Sequence, residues 1–367
     1  MEDLSKEHFY GIDILRCLSM FMVVILHILY HGKILNNISG MQSLSYELLE
    51  SLCFGAVDLF AMISGYLLVF SKWKLSRYFI LYVQVAFYTI LFAFIAKYFD
   101  GKSLSAKDWL QAIVAVIGNY WYITAYIGVL TIMPILNAFL RELDIRQNYK
   151  AAGFCLIIII GGSIFLSKSI GYTMGYSCIW LSALYLLGGI VRINQDWICH
   201  IFQTRKKKLL IGFIAYIILS ISACAGYFMT INSVLSIFFR SYCSPFVVLG
   251  TLSLFIALFD LPIKNIVISK ALEYLSSGAL GVYLITENNW FRAKFITNKF
   301  VWVCDRNPFT GLLLVLGIGF AFFLIPLLVD AARHSIFNRI GIYKLVKFIA
   351  DWLTKLYGKY MDIIFQK

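Results

Sequence analysis

Long apolar segments recur along the whole chain and are separated by short polar stretches. A membrane-spanning helix needs about 20 consecutive, mostly apolar residues. Ten runs of this kind lie at about 9–30, 51–71, 78–98, 120–140, 151–167, 175–192, 209–229, 243–260, 271–290 and 310–330. The pattern predicts an all-α fold, a polytopic membrane helix bundle of about ten transmembrane helices. The stretch 105–118 is less polar than a loop and is predicted to be an interfacial or re-entrant helix.

Composition supports the membrane assignment. Of 367 residues, 61% are hydrophobic and 14% are charged, whereas soluble domains are about half apolar and a quarter charged. The first run carries Arg16 and His27, so we interpret it as a retained helix and not as a cleaved signal. The eight cysteines form no CxxC pair and are predicted to be packing residues. We expect no metal site and no permanently bound cofactor.

The distribution of basic residues predicts the orientation. With the N-terminus inside, the cytoplasmic segments hold 21 of the 32 Lys and Arg residues, which favours N-in and C-in. We predict a bundle over 1–332 and, over 333–367, a basic amphipathic helix on the inner leaflet. The basic residues behind the net charge of +13 are scattered between the apolar runs and do not form one basic face. Nucleic acid is therefore not expected as a partner, and a cell membrane is predicted as the location. The oligomeric state is left open.

The first helix contains four ionisable residues that lipid would reject. These are Asp13, Arg16, His27 and His31. Arg16 and His27 are eleven residues apart, about three full turns, which places both on one face about 16 Å apart along the axis. One alternative for Asp13 and Arg16 is a simple ion pair between successive turns. His27 is either a catalytic base or a histidine that only hydrogen-bonds a neighbouring helix.

Two further regions suggest chemistry near the first helix. Asp58 is expected at the depth of His27, where its carboxylate would orient the imidazole or pair with another buried donor. Lys74 and Arg77, in the turn after the second run, would bind phosphate or anchor the turn to the inner leaflet.

The remaining candidates lie at the opposite mouth of the predicted bundle. Trp121 and Tyr122 would contribute to a substrate site or to an aromatic belt. Glu287 and Asn288 would hydrogen-bond a polar acceptor such as a sugar, or serve as ordinary helix-end residues.

With these residues collected, the chain resembles the membrane-bound acyltransferase 3 family over nearly its whole length. The most specific element is the first-helix pair Arg16 and His27. It is followed by the block Gly55–Leu67. The other matching elements are Trp121-Tyr122-Ile123 with Tyr126, Pro134 and Leu136-Asn137, and the late element Tyr283–Asn288.

The resemblance implies transfer of an acyl group, usually acetyl, from cytoplasmic acyl-CoA to a hydroxyl of a cell-envelope carbohydrate or lipid-linked glycan. It implies His27 as the base, with Asp58 beside it, and Arg16, Lys74 and Arg77 as the donor site. This chain departs from the family pattern in having Lys74 where arginine is common. It also has Thr286 where many members have histidine.

Two other function classes are compatible with the sequence. A transporter or flippase of a lipid-linked sugar would also line a cavity with polar residues, although no inverted repeat is present to favour it. A catalytically silent regulator is the third possibility, suggested by the altered Lys74 and Thr286.

Overall fold

A computed structural model describes residues 8–101, 105–114, 120–144, 147–148, 150–155, 157, 161, 173–230, 233 and 235–365. Within these residues the fold is all helical, with no strand, as the sequence predicts. The predicted fifth run, 151–167, lies largely outside the described residues.

The described residues form sixteen α-helices. In chain order they are α1 (Tyr10–His31), α2 (Met41–Cys53), α3 (Ala56–Leu68), α4 (Ser76–Asp100), α5 (Ala106–Val114), α6 (Trp121–Glu142), α7 (Cys178–Ile193), α8 (Gln195–Phe202), α9 (Arg205–Thr230), α10 (Leu235–Phe239), α11 (Pro245–Leu258), α12 (Ile266–Ser276), α13 (Ala279–Thr286), α14 (Asn289–Phe295), α15 (Pro308–Arg339) and α16 (Ile342–Phe365). Three 3₁₀ turns lie at Leu35–Asn37, Thr173–Gly175 and Val301–Asp305.

Six helical segments in the described part of the chain are long and apolar enough to cross a membrane, or up to seven if α7 and α8 form one bent span. The angle between α7 and α8 is 70°. The predicted count of ten is not confirmed within the described residues, because the run 151–167 lies largely outside them and other apolar runs are short or broken. The run 243–260 forms the 14-residue α11, and the run 271–290 is divided between α12, α13 and α14.

Two of the helix breaks occur where glycine allows a close approach between helices. At Gly55, between α2 and α3, a Cβ atom would lie 2.0 Å from the Thr251 hydroxyl on α11. At Gly278, between α12 and α13, it would lie 2.5 Å from the Leu327 carbonyl on α15. The second predicted run therefore begins earlier than residue 51, because α2 and α3 together form one span over Gln42–Leu68.

Helices α3 and α7 pack with their backbones in contact. A Cβ at Gly65 would lie 1.9 Å from the Tyr185 carbonyl, and one at Gly188 would lie 1.9 Å from the Met62 carbonyl. Small residues at a membrane helix interface permit such close packing. The contact fixes α3, and with it Asp58, against α7.

The predicted interfacial segment contains the short helix α5, which lies against α4. The Thr89 hydroxyl donates to the Ala112 carbonyl at 2.6 Å, and the Tyr82 hydroxyl donates to the Ile113 carbonyl at 3.0 Å. The nine residues of α5 are too few to span a bilayer.

The predicted boundary between residues 332 and 333 falls inside α15, which continues to Arg339. Arg333 is buried and pairs with Asp330. It also donates to the Tyr343 hydroxyl at 3.0 Å, which ties α16 to the bundle. The C-terminal helix is therefore a separate element only from Ile342 onward.

The two ends of the bundle can be defined by α1. At the proximal end, where α1 begins, Ser276 donates to Asp13 and Asn137 donates to the Leu68 carbonyl. At the distal end, where α1 terminates, the Asn298 amide donates to the His31 carbonyl. The two ends hold different groups of polar residues.

Candidate active site

The polar residues of α1 divide between the two ends of the bundle. Asp13 and Arg16 form an ion pair at 3.1 Å at the proximal end, which is the pairing between successive turns left open by the sequence. The side chains of His27 and His31, at the distal end, are 14% and 26% exposed. All four therefore face protein or a cavity, as the cost of ionisable groups in lipid requires.

His27 lies in a cluster formed with α13 and the residue that follows it. Its Nε2 is 3.3 Å from Glu287 Oε2, and its Nδ1 is 3.3 Å from the Thr286 hydroxyl. His31 Nε2 lies 3.5 Å from the same Glu287 oxygen. The other carboxylate oxygen of Glu287 accepts a hydrogen bond from Arg292.

The hydrogen bonds of Thr286 and Glu287 define what the imidazole can do. The Thr286 hydroxyl donates to the Val282 carbonyl at 2.8 Å, so it can accept a hydrogen from His27 Nδ1. Nε2 then carries the lone pair, and if Nε2 gains a proton, the resulting imidazolium lies within ion-pair distance of Glu287 Oε2, at 3.3 Å.

Asp58 does not contact His27. It is fully buried, and one carboxylate oxygen accepts from Trp180 Nε1 at 3.3 Å. The alternative left open by the sequence, pairing with another buried donor, is the one found in the structure. Among the described residues, the carboxylate beside the imidazole is Glu287, which the sequence placed only among the acceptor-binding residues.

A small cavity opens beside His27. Its volume is about 50 Å³, and its lining includes Trp121, Tyr122, Tyr242 and Tyr283. Trp121 and Tyr122 thus lie in the same cavity as His27. Its aromatic walls leave room for a small group.

Asn288 uses both ends of its side-chain amide within the protein. Its oxygen accepts from the Trp290 amide at 3.0 Å, which caps α14, and its nitrogen donates to the Tyr120 hydroxyl at 3.2 Å. Tyr120 in turn donates to the Leu284 carbonyl at 3.0 Å. Asn288 therefore links α6 to the break between α13 and α14, beside Glu287.

A second cavity, of about 550 Å³, lies at the proximal end. Arg16 and Arg192 contribute guanidinium groups to its lining. Arg77 Nη1 donates to the Lys72 carbonyl at 2.7 Å, and Lys74 is exposed. Lys74 therefore lies on the turn between α3 and α4, and Arg77 lies in the first turn of α4.

Arg192 is a buried cation whose hydrogen-bond partners are neutral. It donates to Gln195 Oε1 at 2.7 Å and to the Tyr66 hydroxyl at 3.2 Å. Its guanidinium carbon lies 4.3 Å from the centre of the Phe9 ring. In the described part of the chain no carboxylate pairs with Arg192, whereas Asp13, which also lines the cavity, pairs with Arg16. Arg192 is therefore the group in this lining that is suited to contact an anion.

His27, His31 and Glu287 also have the chemistry of a metal site. Their ligand atoms lie within 4.8 Å of one another, and two imidazoles with a carboxylate are a set that zinc uses. Metal binding through His27 Nε2 would occupy the lone pair that a base needs. The two uses are therefore alternatives.

The cluster of His27, His31 and Glu287, the cavity with aromatic walls beside it (the aromatic cavity) and the cavity at Arg16 and Arg192 (the proximal cavity) are arranged along one polar face of α1. A family model described as an acyltransferase domain, that of acyltransferase 3, matches residues 9–331. The chain belongs to the acyltransferase 3 family. Comparison with curated proteins and with solved structures gives no significant match.

Membership of the acyltransferase 3 family confirms the resemblance and identifies the chain as a membrane acyltransferase. Its several apolar helices are those of a multi-pass membrane protein. The transporter alternative receives no support from these comparisons.

For this acyltransferase, sequence reasoning missed two features of the candidate site. Thr286, noted only as a departure from the family pattern, contacts His27 directly. Arg192, at the end of the predicted run 175–192, was not among the candidate residues, yet it lies within the last turn of α7 and is buried. The available signal was a single cation at the end of an apolar run that contains Gly188 and Gly189.

Proposed function

We propose that this protein transfers an acetyl group from acetyl-CoA to a hydroxyl of a cell-envelope carbohydrate, with His27 as the general base. The observation that carries the proposal is the pairing of His27 with Glu287 beside a small aromatic cavity. A sugar hydroxyl is a weak nucleophile at neutral pH, and a positioned base accelerates its attack by about 10²–10⁴-fold.

The proposed topology has about ten spans, with both ends in the cytoplasm of a bacterial cell. The excess of Lys and Arg in the segments at the proximal end supports this orientation. The proximal cavity would then open toward cytoplasmic acyl-CoA. His27 would lie toward the outer surface, where envelope carbohydrate is found.

The donor would bind along the polar face of α1. Arg16 and Arg192 in the proximal cavity would hold the phosphates of CoA, and Lys74 and Arg77 would attract them at the entrance. The flexible arm of CoA would cross the axial distance of about 16 Å between Arg16 and His27. This route brings the thioester to the aromatic cavity.

The size of the aromatic cavity favours a short acyl group. Its volume of about 50 Å³ exceeds the roughly 10–15 Å³ that a single water needs but is far below the about 300–1,000 Å³ of ordinary ligand sites. A short acyl group therefore needs less rearrangement than a longer chain, which would have to displace Tyr122, Tyr242 or Tyr283. We therefore propose acetyl, not succinyl or a longer chain, as the group transferred.

In the proposed reaction the acceptor hydroxyl loses its proton to His27 as its oxygen bonds to the thioester carbonyl carbon. The bond from that carbon to sulfur then breaks, and the CoA thiolate takes the proton from the imidazolium. Trp121, Tyr122, Glu287 and Asn288 would position the acceptor at the distal end. No permanently bound cofactor is required, since acetyl-CoA is consumed as a substrate.

We expect purified protein in lipid nanodiscs to release CoA thiol from acetyl-CoA in the presence of an envelope glycan extract. We also expect mass spectrometry to find acetyl esters on that glycan. The matched control is His27→Ala, which keeps the fold but lacks the base. Failure of the folded parent protein to release thiol under any acceptor condition would refute the acyltransferase chemistry proposed here.

We expect Arg192→Ala to weaken acetyl-CoA binding by about 10–100-fold, because hydrogen bonds to charged groups contribute about 1.5–3 kcal/mol. Arg77→Ala should weaken binding less, since Arg77 lies in the first turn of α4, donates to the Lys72 carbonyl and is not part of the cavity lining. Lys74→Arg should be tolerated. Isothermal titration with acetyl-CoA measures all three.

Arg192→Lys serves as the control for that measurement, because it retains the positive charge but loses the forked geometry. It should bind acetyl-CoA with intermediate affinity. Unchanged affinity in folded Arg192→Ala would show that the proximal cavity does not hold the donor phosphates.

A further inference from the structure

His27 and His31 lie four residues apart on α1, so both imidazoles project from the same face of the helix. Two histidines at this spacing on one helical face are an arrangement that binds zinc in other proteins. Glu287, which directly follows α13, brings a carboxylate to the same point. The expectation of no metal site rested on the cysteines, whereas these three ligands are two imidazoles and a carboxylate.

The distances between the ligand atoms are close to those of a tetrahedral zinc site. Glu287 Oε2 lies 3.3 Å from His27 Nε2 and 3.5 Å from His31 Nε2. Zinc bonds of about 2.0–2.2 Å to nitrogen and oxygen, at tetrahedral angles, place neighbouring ligand atoms about 3.3–3.6 Å apart. One nitrogen of each imidazole and the carboxylate oxygen all lie within 4.8 Å of one another. Small side-chain rotations therefore bring all three into contact with one ion.

The carboxylate oxygen between the two imidazoles has no hydrogen bond of its own. Glu287 Oε2 is buried, and among the described residues no group donates to it with hydrogen-bond geometry. A buried polar atom without a hydrogen-bond partner is costly. The other oxygen of Glu287 accepts from Arg292, which holds the carboxylate in this orientation. A cation at Oε2 would satisfy the free oxygen without disturbing that bond.

The neighbours of the cluster orient its ligands as second-shell groups do at metal sites. His27 Nδ1 lies 3.3 Å from the Thr286 hydroxyl, which leaves Nε2 free to bind an ion. A histidine that ligates a metal almost always donates its other ring N–H to an oxygen in this way. Arg292 also donates to Asn289 at 3.0 Å. Its positive charge repels a cation, so binding should be weaker than at a site without such a neighbour.

The cluster can be reached from the distal end of the bundle. His31 lies in the last turn of α1 and is partly exposed, and Tyr30 beside it is exposed. His27 and Glu287 are less exposed than His31. An ion that arrives from solution at this end therefore meets His31 first. The proposed topology places this end of the bundle outside the cell.

We propose that Zn²⁺ binds His27, His31 and Glu287 and thereby reversibly inhibits the enzyme. The inhibition rests on the proposed function of His27 as the base and adds a regulation of the same site. Zinc accepts the lone pair of His27 Nε2 in a coordinate bond, so this nitrogen no longer accepts the hydroxyl proton. No electron is transferred, and water takes the fourth coordination position. Imidazole ligands favour zinc over Mg²⁺ and Ca²⁺, which prefer oxygen.

The test uses full-length protein in nanodiscs, freed of any affinity tag and stripped of metal with EDTA. Titration with ZnCl₂ in competition with a fluorescent zinc chelator should find one tightly bound ion per chain. X-ray absorption at the zinc edge should show imidazole and oxygen ligands at about 2.0–2.2 Å. It should show no sulfur at about 2.3 Å, which the free cysteines would supply.

His31→Ala should weaken zinc binding by at least about 100-fold, because even the loss of a group that only orients a metal ligand costs about 10–100-fold. The matched control is His200→Ala, which removes an exposed histidine of α8 outside the cluster. Its zinc affinity should equal that of the parent protein. Glu287→Gln, which loses the anionic ligand, repeats the binding measurement if His31→Ala fails to fold.

Inhibition is measured as thiol release from acetyl-CoA. At saturating zinc the parent rate should fall toward that of His27→Ala, a loss of about 10²–10⁴-fold, and it should return after EDTA. Folded His31→Ala keeps the contact between His27 and Glu287. Its own rate should therefore change little at the same zinc concentration, whereas His200→Ala should be inhibited like the parent.

Three outcomes would overturn the proposal. Equal zinc affinity in the parent and in folded His31→Ala would place the ion elsewhere, and so would zinc–sulfur distances in the absorption spectrum. Activation by zinc that EDTA abolishes would contradict inhibition. The binding measurements need no turnover. One ion per chain, lost in His31→Ala, in a folded parent that releases no thiol would support the zinc site and refute only the acyltransferase chemistry.

Discussion

Replacement of His27 with alanine is expected to lower the rate of acyl transfer by about 10²–10⁴-fold, the contribution of a positioned general base. The imidazole lies 3.3 Å from Glu287 and 3.3 Å from Thr286 beside the aromatic cavity. The polar aromatic residues that line the cavity in the described part of the chain, Trp121, Tyr122, Tyr242 and Tyr283, would not replace it, because their side chains are poor proton acceptors at neutral pH. Initial rates of thiol release with saturating acetyl-CoA and acceptor would measure the loss.

Acetyl-CoA affinity should remain within about a factor of two of the parent, since the proposed phosphate site is near Arg16, about 16 Å along the axis. His31→Ala is the control on the same helix. It removes a histidine 3.5 Å from the same carboxylate but leaves the His27 contacts in place, so its loss should be much smaller. Near-normal transfer by folded His27→Ala would reject His27 as the base.

Glu287→Gln is expected to produce the second largest loss, of about 10–100-fold in kcat. The substitution keeps the shape of the side chain but removes the negative charge that stabilises the imidazolium. It also removes the charged partner of Arg292. The rate should decrease without a matching change in acetyl-CoA affinity, as expected for a residue that acts through His27.

Asp58→Asn provides the comparison for this prediction. Asp58 is buried and bonded to Trp180, so replacement of its carboxyl group by an amide should affect packing between α3 and α7 more than the base. Stability measured by thermal unfolding and kcat measured on the folded fraction separate the two effects. A larger kcat loss in Asp58→Asn than in Glu287→Gln would restore Asp58 as the carboxylate that acts on His27.

The sequence alone determined that the protein lies in a membrane and which class of protein it is. Apolar runs of membrane length and sparse charge require lipid around most of the chain, because a soluble core could not bury them. The spacing of Arg16 and His27 placed both on one helical face, since helix geometry is local and regular. The ordered motifs from Gly55 to Asn288 were sufficient to indicate the acyltransferase 3 family, which the family match confirms.

Only the tertiary structure decided which side chains meet. Periodicity gives the depth of Asp58 but not its rotation or its neighbours, and α3 turns the carboxylate toward Trp180 on α7. Glu287 reaches His27 because a helix breaks after Thr286, where α13 ends. Arg192 becomes a cavity residue because Gly65 and Gly188 bring α3 and α7 into backbone contact. These contacts join residues that are far apart in the chain, and local sequence patterns do not show which distant residues come together in space.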